Sequence, residues 1–315
     1  MAIKNGLRKL SSSPLNRGWR KNAFIVAMLV VPLTHFLIFW LIINLNSILL
    51  AFQSRDALGN ITWGFQNFEI LIRWLKNDDP IMVQAIKNTL KYFSVNLFIT
   101  IPLSLLISYF IYKKIFMYKV YRYIFFLPSI ISAVVLSTLY KYIIAPGAPG
   151  MPGGPIAELY ELITGIDVPL FLQESATATN AIIIFVVLTG FGGNLVLFNG
   201  AMARIPEEVT DAAKLDGITM VREIFQIVIP FIWPTISTVI TLATVGIFTA
   251  SGPILLFTNG AFDTWTISFW IFYQVNNGAS PEFPSAIGLF FTAIALPIVF
   301  VVRWVMNKLD ANLEY

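Results

Sequence analysis

The 315-residue chain contains no cysteine, which excludes a disulfide framework, a thiolate metal site and a cysteine nucleophile. Histidine occurs once, at His35, leaving little scope for general-base catalysis or a histidine-ligated metal. No Gly-x-x-x-x-Gly-Lys-Ser/Thr phosphate loop is present, so ATP hydrolysis of that type is not expected on this chain. Charge is also scarce. Asp, Glu, Lys and Arg make up 12% of the residues, against roughly a quarter in a soluble domain. With 57% hydrophobic residues and a mean hydropathy of +0.75, the composition excludes a disordered protein, a collagen and an ordinary soluble enzyme. A membrane-embedded unit remains.

What the chain has in quantity is long uncharged runs. A spanning helix needs about 20 apolar residues to cross about 30 Å of hydrocarbon. Such runs predict six helices near 23–45, 90–111, 121–143, 179–203, 228–257 and 284–306. The uncharged stretch between Asp263 and Glu282 raises a rival count of seven, but Gln274, Asn276, Asn277, Gly278, Ser280 and Pro281 make its second half polar. It reads as a partly helical extracytoplasmic loop. Fifteen Lys and Arg lie on the side of the N-terminal tail and the even-numbered loops, and six on the other. By the positive-inside rule both termini are expected in the cytoplasm. The basic tail points to anionic lipid, and nothing points to nucleic acid. The uncharged run from Asn22 to Ser54 is too long for a secretion signal and reads as a retained first span.

The expected organisation is a basic tail at 1–22, a first span and extracytoplasmic loop at 23–89, a core of five spans at 90–306, and a C-terminal tail at 307–315. Within the long loop, residues 46–88 are too irregular to assign. Residues Pro146–Pro155 read PGAPGMPGGP and suggest a stiff, extended surface loop. No repeat relates the two halves of the chain, which weakens an inverted-repeat reading.

The most informative segment is cytoplasmic, RIPEEVTDAAKLDGITMVREIFQIVIP at 204–230. Pro206 suits a helix start, and Glu207 and Glu208 complement the positive end of the helix dipole. Val209, Ala212, Ala213 and Asp216 recur at helical spacing, and the alanines leave that stripe shallow. Gly217 permits a sharp turn before a second amphipathic stretch. The residues alone describe either a docking knob or an ordinary interfacial helix. The segment resembles the EAA motif of permease subunits of binding-protein-dependent ABC importers. That motif runs Glu-Ala-Ala, three residues, Gly, nine residues, then Ile-x-Leu-Pro. Here it reads Asp211-Ala212-Ala213, Gly217 and Ile227-Val228-Ile229-Pro230, with every spacing preserved. Ala85-Ile86-Lys87-Asn88-Thr89-Leu90 is similar to the start of the family's second span. Arg122-Tyr123-Ile124-Phe125-Phe126-Leu127-Pro128 is similar to the start of the third in the sugar-permease branch. Ser285-Ala286-Ile287-Gly288-Leu289-Phe290 resembles the last span of the oligosaccharide subgroup.

The resemblance implies an all-α membrane protein with six transmembrane helices and the type I, maltose-permease-like architecture. It implies half of a translocation pathway for a carbohydrate, an oligosaccharide by subgroup. The implied partners are a second permease subunit (a heterodimer), two cytoplasmic ATPase subunits carrying ATP and Mg, and an extracytoplasmic solute-binding protein. No cofactor is expected on this chain. The implied ATPase-coupling residues are Glu208, Asp211, Ala212, Ala213, Asp216 and Gly217, and Ala213→Asp is expected to break coupling.

Pathway candidates are Asn194, Asn199, Thr249, Ser251, Trp270 and Tyr273, hydrogen-bonding or aromatic groups of the kind that hold sugars. Gly193 and Gly200 share a helix face and suggest close helix packing. His35 is expected neutral and hydrogen-bonded within the first span. Pro32, Pro102 and Pro297 are expected to mark kinks. The rival readings are an ion-coupled secondary transporter of a neutral solute and an integral membrane enzyme. The charge-free spans lack the acids that the first requires. The second needs a nucleophile–base pair or metal cluster that the sequence does not offer.

Overall fold

The computed structural model describes residues 14–55, 59–147, 152–166, 168–249, 251–277 and 280–311. The basic residues Lys4, Arg8 and Lys9, the centre of the PGAPGMPGGP stretch at 148–151, Gly278 and the last four residues lie outside the described residues.

Apolar runs of spanning length form α1 (Lys21–Ala51), α3 (Pro80–Tyr112), α7 (Ala178–Met202), α9 (Met220–Val245) and a last helix α12 (Glu282–Ala311). The expected third span is not straight. It consists of α4 (Tyr118–Phe126) and α5 (Ala133–Ile144), bent by 105° across the break between them. The bend starts where Pro128 enters a short 3-10 turn, Leu127–Ser129, and cannot donate a helical hydrogen bond. A Cβ at Gly192 of α7 would stand 2.5 Å from the Ser129 Cβ. That glycine therefore lets α7 pack directly on the bend. Gly193 and Gly200 have nothing within 4 Å of an added Cβ. The close packing expected of those two thus falls at Gly192, and they face open space in the single chain.

The second span starts ten residues before the expected position 90, because Asp79 caps it by accepting from Met82 N–H at 3.0 Å and Pro80 follows at the first turn. The fifth span starts earlier too, at Met220, and stops at Val245. Past Gly246 the chain makes a 3-10 turn and then the short α10 (Ile254–Phe257). Widened π turns lie at Asn96–Thr100 and Ile224–Val228, each ending two residues before a proline, Pro102 and Pro230. The ring of each proline crowds the carbonyl four residues back, and the wider turn relieves it. Pro32, by contrast, lies four residues before a π stretch at Phe36–Ile42, and Pro297 sits inside α12.

The loop after α1 is structured where the sequence offered no assignment. Strands β1 (Gln53–Arg55) and β2 (Ile61–Trp63) pair antiparallel with Ser54 opposite Thr62, and α2 (Gln66–Lys76) follows. Asn67 ties this unit together, its amide donating to Ala51 O at 3.1 Å and Gln53 O at 2.6 Å. The remaining elements are α6 (Pro155–Thr164), α8 (Glu207–Leu215) and α11 (Ile267–Asn276), the last being the helical part of the 263–282 loop.

Among the described residues two apolar cores hold the most buried side chains. One, at the end holding the α3–α4 and α7–α9 turns (the basic end), joins Leu105 and Tyr109 of α3, Phe198 and Met202 of α7, and Ile232 and Ile236 of α9. The other, at the far end, joins Leu71 of α2, Met82 and Ala85 of α3, Trp270 of α11 and Ile287 of α12. α1 stands apart. None of its apolar window is buried within the chain, and only its final stretch, Ile43–Ala51, packs on α12.

Candidate functional site

At the basic end the chain leaves α7, turns at Ile205–Pro206 and forms α8, whose first turn carries Glu207 and Glu208. Gly217 then takes a φ of +67°, a conformation that costs an ordinary L-residue roughly 1 kcal/mol. Gly217 N–H donates to Lys214 O and Ile218 N–H to Ala213 O, each at 3.1 Å. These two bonds form a Schellman closure that satisfies the last carbonyls of α8. The chain reverses there and enters α9 at Met220.

The reversal folds α8 against the start of α9 and leaves a shallow concavity of about 720 Å³ between them. Its walls include Glu208, Ala212, Ala213, Asp216 and Gly217 from the first limb, and Arg222 and Gln226 from the second. Five of the six coupling residues read from the sequence thus share one surface. Ala212 and Asp216 are exposed, whereas Ala213 is 7% exposed. An aspartate at 213 would press a charge against this chain's own interior, so Ala212 is the cleaner position for testing the surface.

Asp211 faces the other way. It lines a second hollow with Tyr112, Lys113, Lys114 and Lys214 and pairs with Lys214 Nζ at 2.8 Å. Its hydrogen bond and charge hold the Lys214 ammonium above the ordinary lysine range. Solvent around this exposed pair leaves it little weight in stability.

One residue of the loop escaped the sequence reading. Glu223, 5% exposed, lies in the first turn of α9. Its carboxylate accepts from Tyr109 Oη at 2.8 Å and from Lys113 Nζ at 2.8 and 3.0 Å. The sequence shows only a carboxylate beside an apolar run, which marks where a span ends and says nothing about a partner 110 residues away.

The pathway candidates lie on α7, on the turn and break between α9 and α10, and on α11. Asn199 donates to Leu195 O of its own helix at 2.8 Å and lines a hollow with Arg122 and Tyr123 at the basic end. Asn194 is half-buried on α7, Thr249 donates to Gly246 O at 2.9 Å, and Ser251 lies in the break before α10. Trp270 is 4% exposed, edge-on to Trp74 at 6.0 Å, and Tyr273 stands edge-on to Trp265 at 5.1 Å. His35 is exposed on α1 and lies 4.9 Å from the Phe39 ring, and among the described residues it makes no side-chain hydrogen bond. Among the described residues no group of His, Asp and Glu is placed to hold a metal ion.

The segment Asn88–Thr89 has a clear structural task at the far end. Asn88 Nδ2 donates to Asp263 O at 2.7 Å and Trp265 O at 2.8 Å. Thr89 Oγ1 accepts from Ile267 N–H at 3.1 Å. These bonds fasten the start of α11 to α3.

A helical, multi-pass membrane protein with a capped helix–turn–helix projecting from one end has the form of a permease subunit. The chain belongs to the binding-protein-dependent transport system inner membrane components, whose family profile matches residues 84–315. It is 23% identical over 254 residues to the arabinooligosaccharides transport system permease protein AraP of Bacillus subtilis (strain 168), covering 78% of this chain and 77% of that one. It is 27% identical over 274 residues to the multiple sugar-binding transport system permease protein MsmF of Streptococcus mutans, covering 84% and 87%. A chain of the crystal structure of a bacterial alginate ABC transporter, in complex with an alginate pentasaccharide-bound periplasmic protein, superposes with a TM-score of 0.79 at 23% identity. That match covers 95% of this chain and 99% of its counterpart. α1, β1, β2 and α2 precede the family-matched region.

Proposed function

We propose that this chain is the transmembrane subunit of an ATP-driven importer and forms half of the path for a carbohydrate, an oligosaccharide, delivered by a separate solute-binding protein. The observation that carries the reading is the α8–Gly217–α9 reversal, with its shallow, alanine-floored concavity edged by Glu208 and Asp216. Such a surface suits insertion of the loop into a cleft of a cytoplasmic ATPase, two copies of which would bind ATP with Mg and drive the cycle. The names of the relatives, an arabinooligosaccharide system and a multiple-sugar system, and the alginate complex support a carbohydrate as cargo. The open glycines Gly193 and Gly200 suit close approach by a second, different permease subunit. In this reading the basic end is cytoplasmic, as are both termini, and the cell membrane is the site of action.

The test is a mild-detergent purification of the tagged chain from its native membranes. An ATPase and a second permease should co-purify with the unaltered chain. Ala212→Asp, which places a charge on the exposed floor of the concavity, should release the ATPase and leave the permease pair intact. Purification of the unaltered chain alone would overturn the assignment.

A further inference from the structure

We infer that Glu223 is a positioning residue that latches the docking loop to α3, and that α3 then carries the movement of the loop to the opposite face of the membrane. This rests on the docking role proposed above. The covalent path from the loop leads into α7 and α9 but not into α3. The Glu223 carboxylate adds α3 through three hydrogen bonds of 3.0 Å or less, two from Lys113 and one from Tyr109. Tyr109 and Lys113 are four residues apart and share a helix face, with the Lys113 ammonium 6.0 Å from the Tyr109 ring centroid. The charges also suit their places. Glu223 sits in the first turn of α9 and Lys113 at the C-cap of α3, so each opposes the partial charge of its own helix end. The carboxylate is almost closed to solvent, where such a pair is screened less than at the surface.

α3 is fastened at both ends. Its 33 residues extend roughly 50 Å at about 1.5 Å per residue. Its far end holds the segment 263–267 through Asn88 and Thr89. A displacement of the loop by the ATPase therefore has a continuous, hydrogen-bonded route through α3 to the extracytoplasmic loop that leads into α11.

The absence of native cysteine gives a direct readout. Ala261→Cys places a single thiol of this chain at an exposed position beside the segment held by Asn88. The complex with its co-purified ATPase is placed in nanodiscs. The rate at which a maleimide–polyethylene glycol reagent shifts this chain on a gel is then measured without nucleotide and with Mg-ATP plus vanadate. In the Ala261→Cys parent the nucleotide should change that rate by about fivefold or more, the scale of an ordinary coupling between sites. Glu223→Gln should abolish the change while ATPase recovery and basal ATP hydrolysis stay at the parent level. The double variant Lys113→Met/Glu223→Met removes both charges but keeps packing volume, so no charge is stranded in the interior; it should abolish the change as well. A nucleotide response that persists in the double variant, or is missing in the parent, would overturn the latch. So would loss of the ATPase from the latch variants alone, since that would make Glu223 a docking residue. Failure of the parent to retain any ATPase would instead strike the docking reading beneath it.

Discussion

Single residues decide how closely the helices approach. Gly192 has the Ser129 side chain where its Cβ would be, whereas Gly193 has empty space. Gly192→Ala should therefore cost about 2 kcal/mol through overpacking, seen as a lower thermal midpoint of the purified protein in detergent, while Gly193→Ala should leave the midpoint of the isolated chain unchanged. At this scale the sequence was legible where chemistry is local. Gly217 was identifiable because a turn between two amphipathic stretches calls for a residue that tolerates positive φ. Glu223 was not, because its meaning lies in Tyr109 and Lys113, which no local pattern connects to it. The partner of the glycine face was hidden for a similar reason. Helical spacing shows that Gly193 and Gly200 are aligned, but not what stands opposite them.

At the scale of elements, the junction between α3 and the start of α11 is the most exacting. Asn88 gives both its amide hydrogens to backbone carbonyls, and it is buried. Asn88→Ala should cost about 2 kcal/mol by removing the donor to Trp265 O and leaving Asp263 O with only the long bond from Thr179 Oγ1 at 3.4 Å. Asn88→Asp should be worse, because it turns an acceptor toward two acceptors. Hydrogen exchange of the amides at 264–267 measures both effects, and faster exchange at Ile267 is the expected mark. The existence and order of the long helices were readable, since uncharged length is a strong signal. The ends of α7 were readable too, at Ala178–Met202 against an expected 179–203, whereas the start of α3, both ends of α9 and the break between α4 and α5 were not. The Asp79 cap lies outside the charge-free run it serves, and the 105° bend between α4 and α5 packs against Gly192 in a contact that no local pattern shows. The strands β1 and β2 have three residues each, too few to show an alternation.

For the whole molecule, the basic end carries the docking loop, Lys113, Lys114 and Arg122, and the far end carries the hairpin, α2 and α11. The distribution of Lys and Arg predicts that a phosphatase inserted after Gly153 will be active, whereas one fused after Tyr315 will be inactive and a fluorescent protein fused there will fold. Reversal of that pattern would invert the orientation proposed above. The two ends are also joined unequally to the first helix. α1 touches the remainder of the chain mainly through Ile43–Ala51 against α12, and Arg55 beyond it pairs with Glu282 at 2.7 Å. During synthesis α1 therefore has to wait in lipid, without its eventual neighbour, until α12 leaves the ribosome. This seam between early and late segments closes only once α12 has emerged, and a ribosome stalled before residue 282 would leave α1 held to the rest by little more than the Asn67–Ala51 bond at its end.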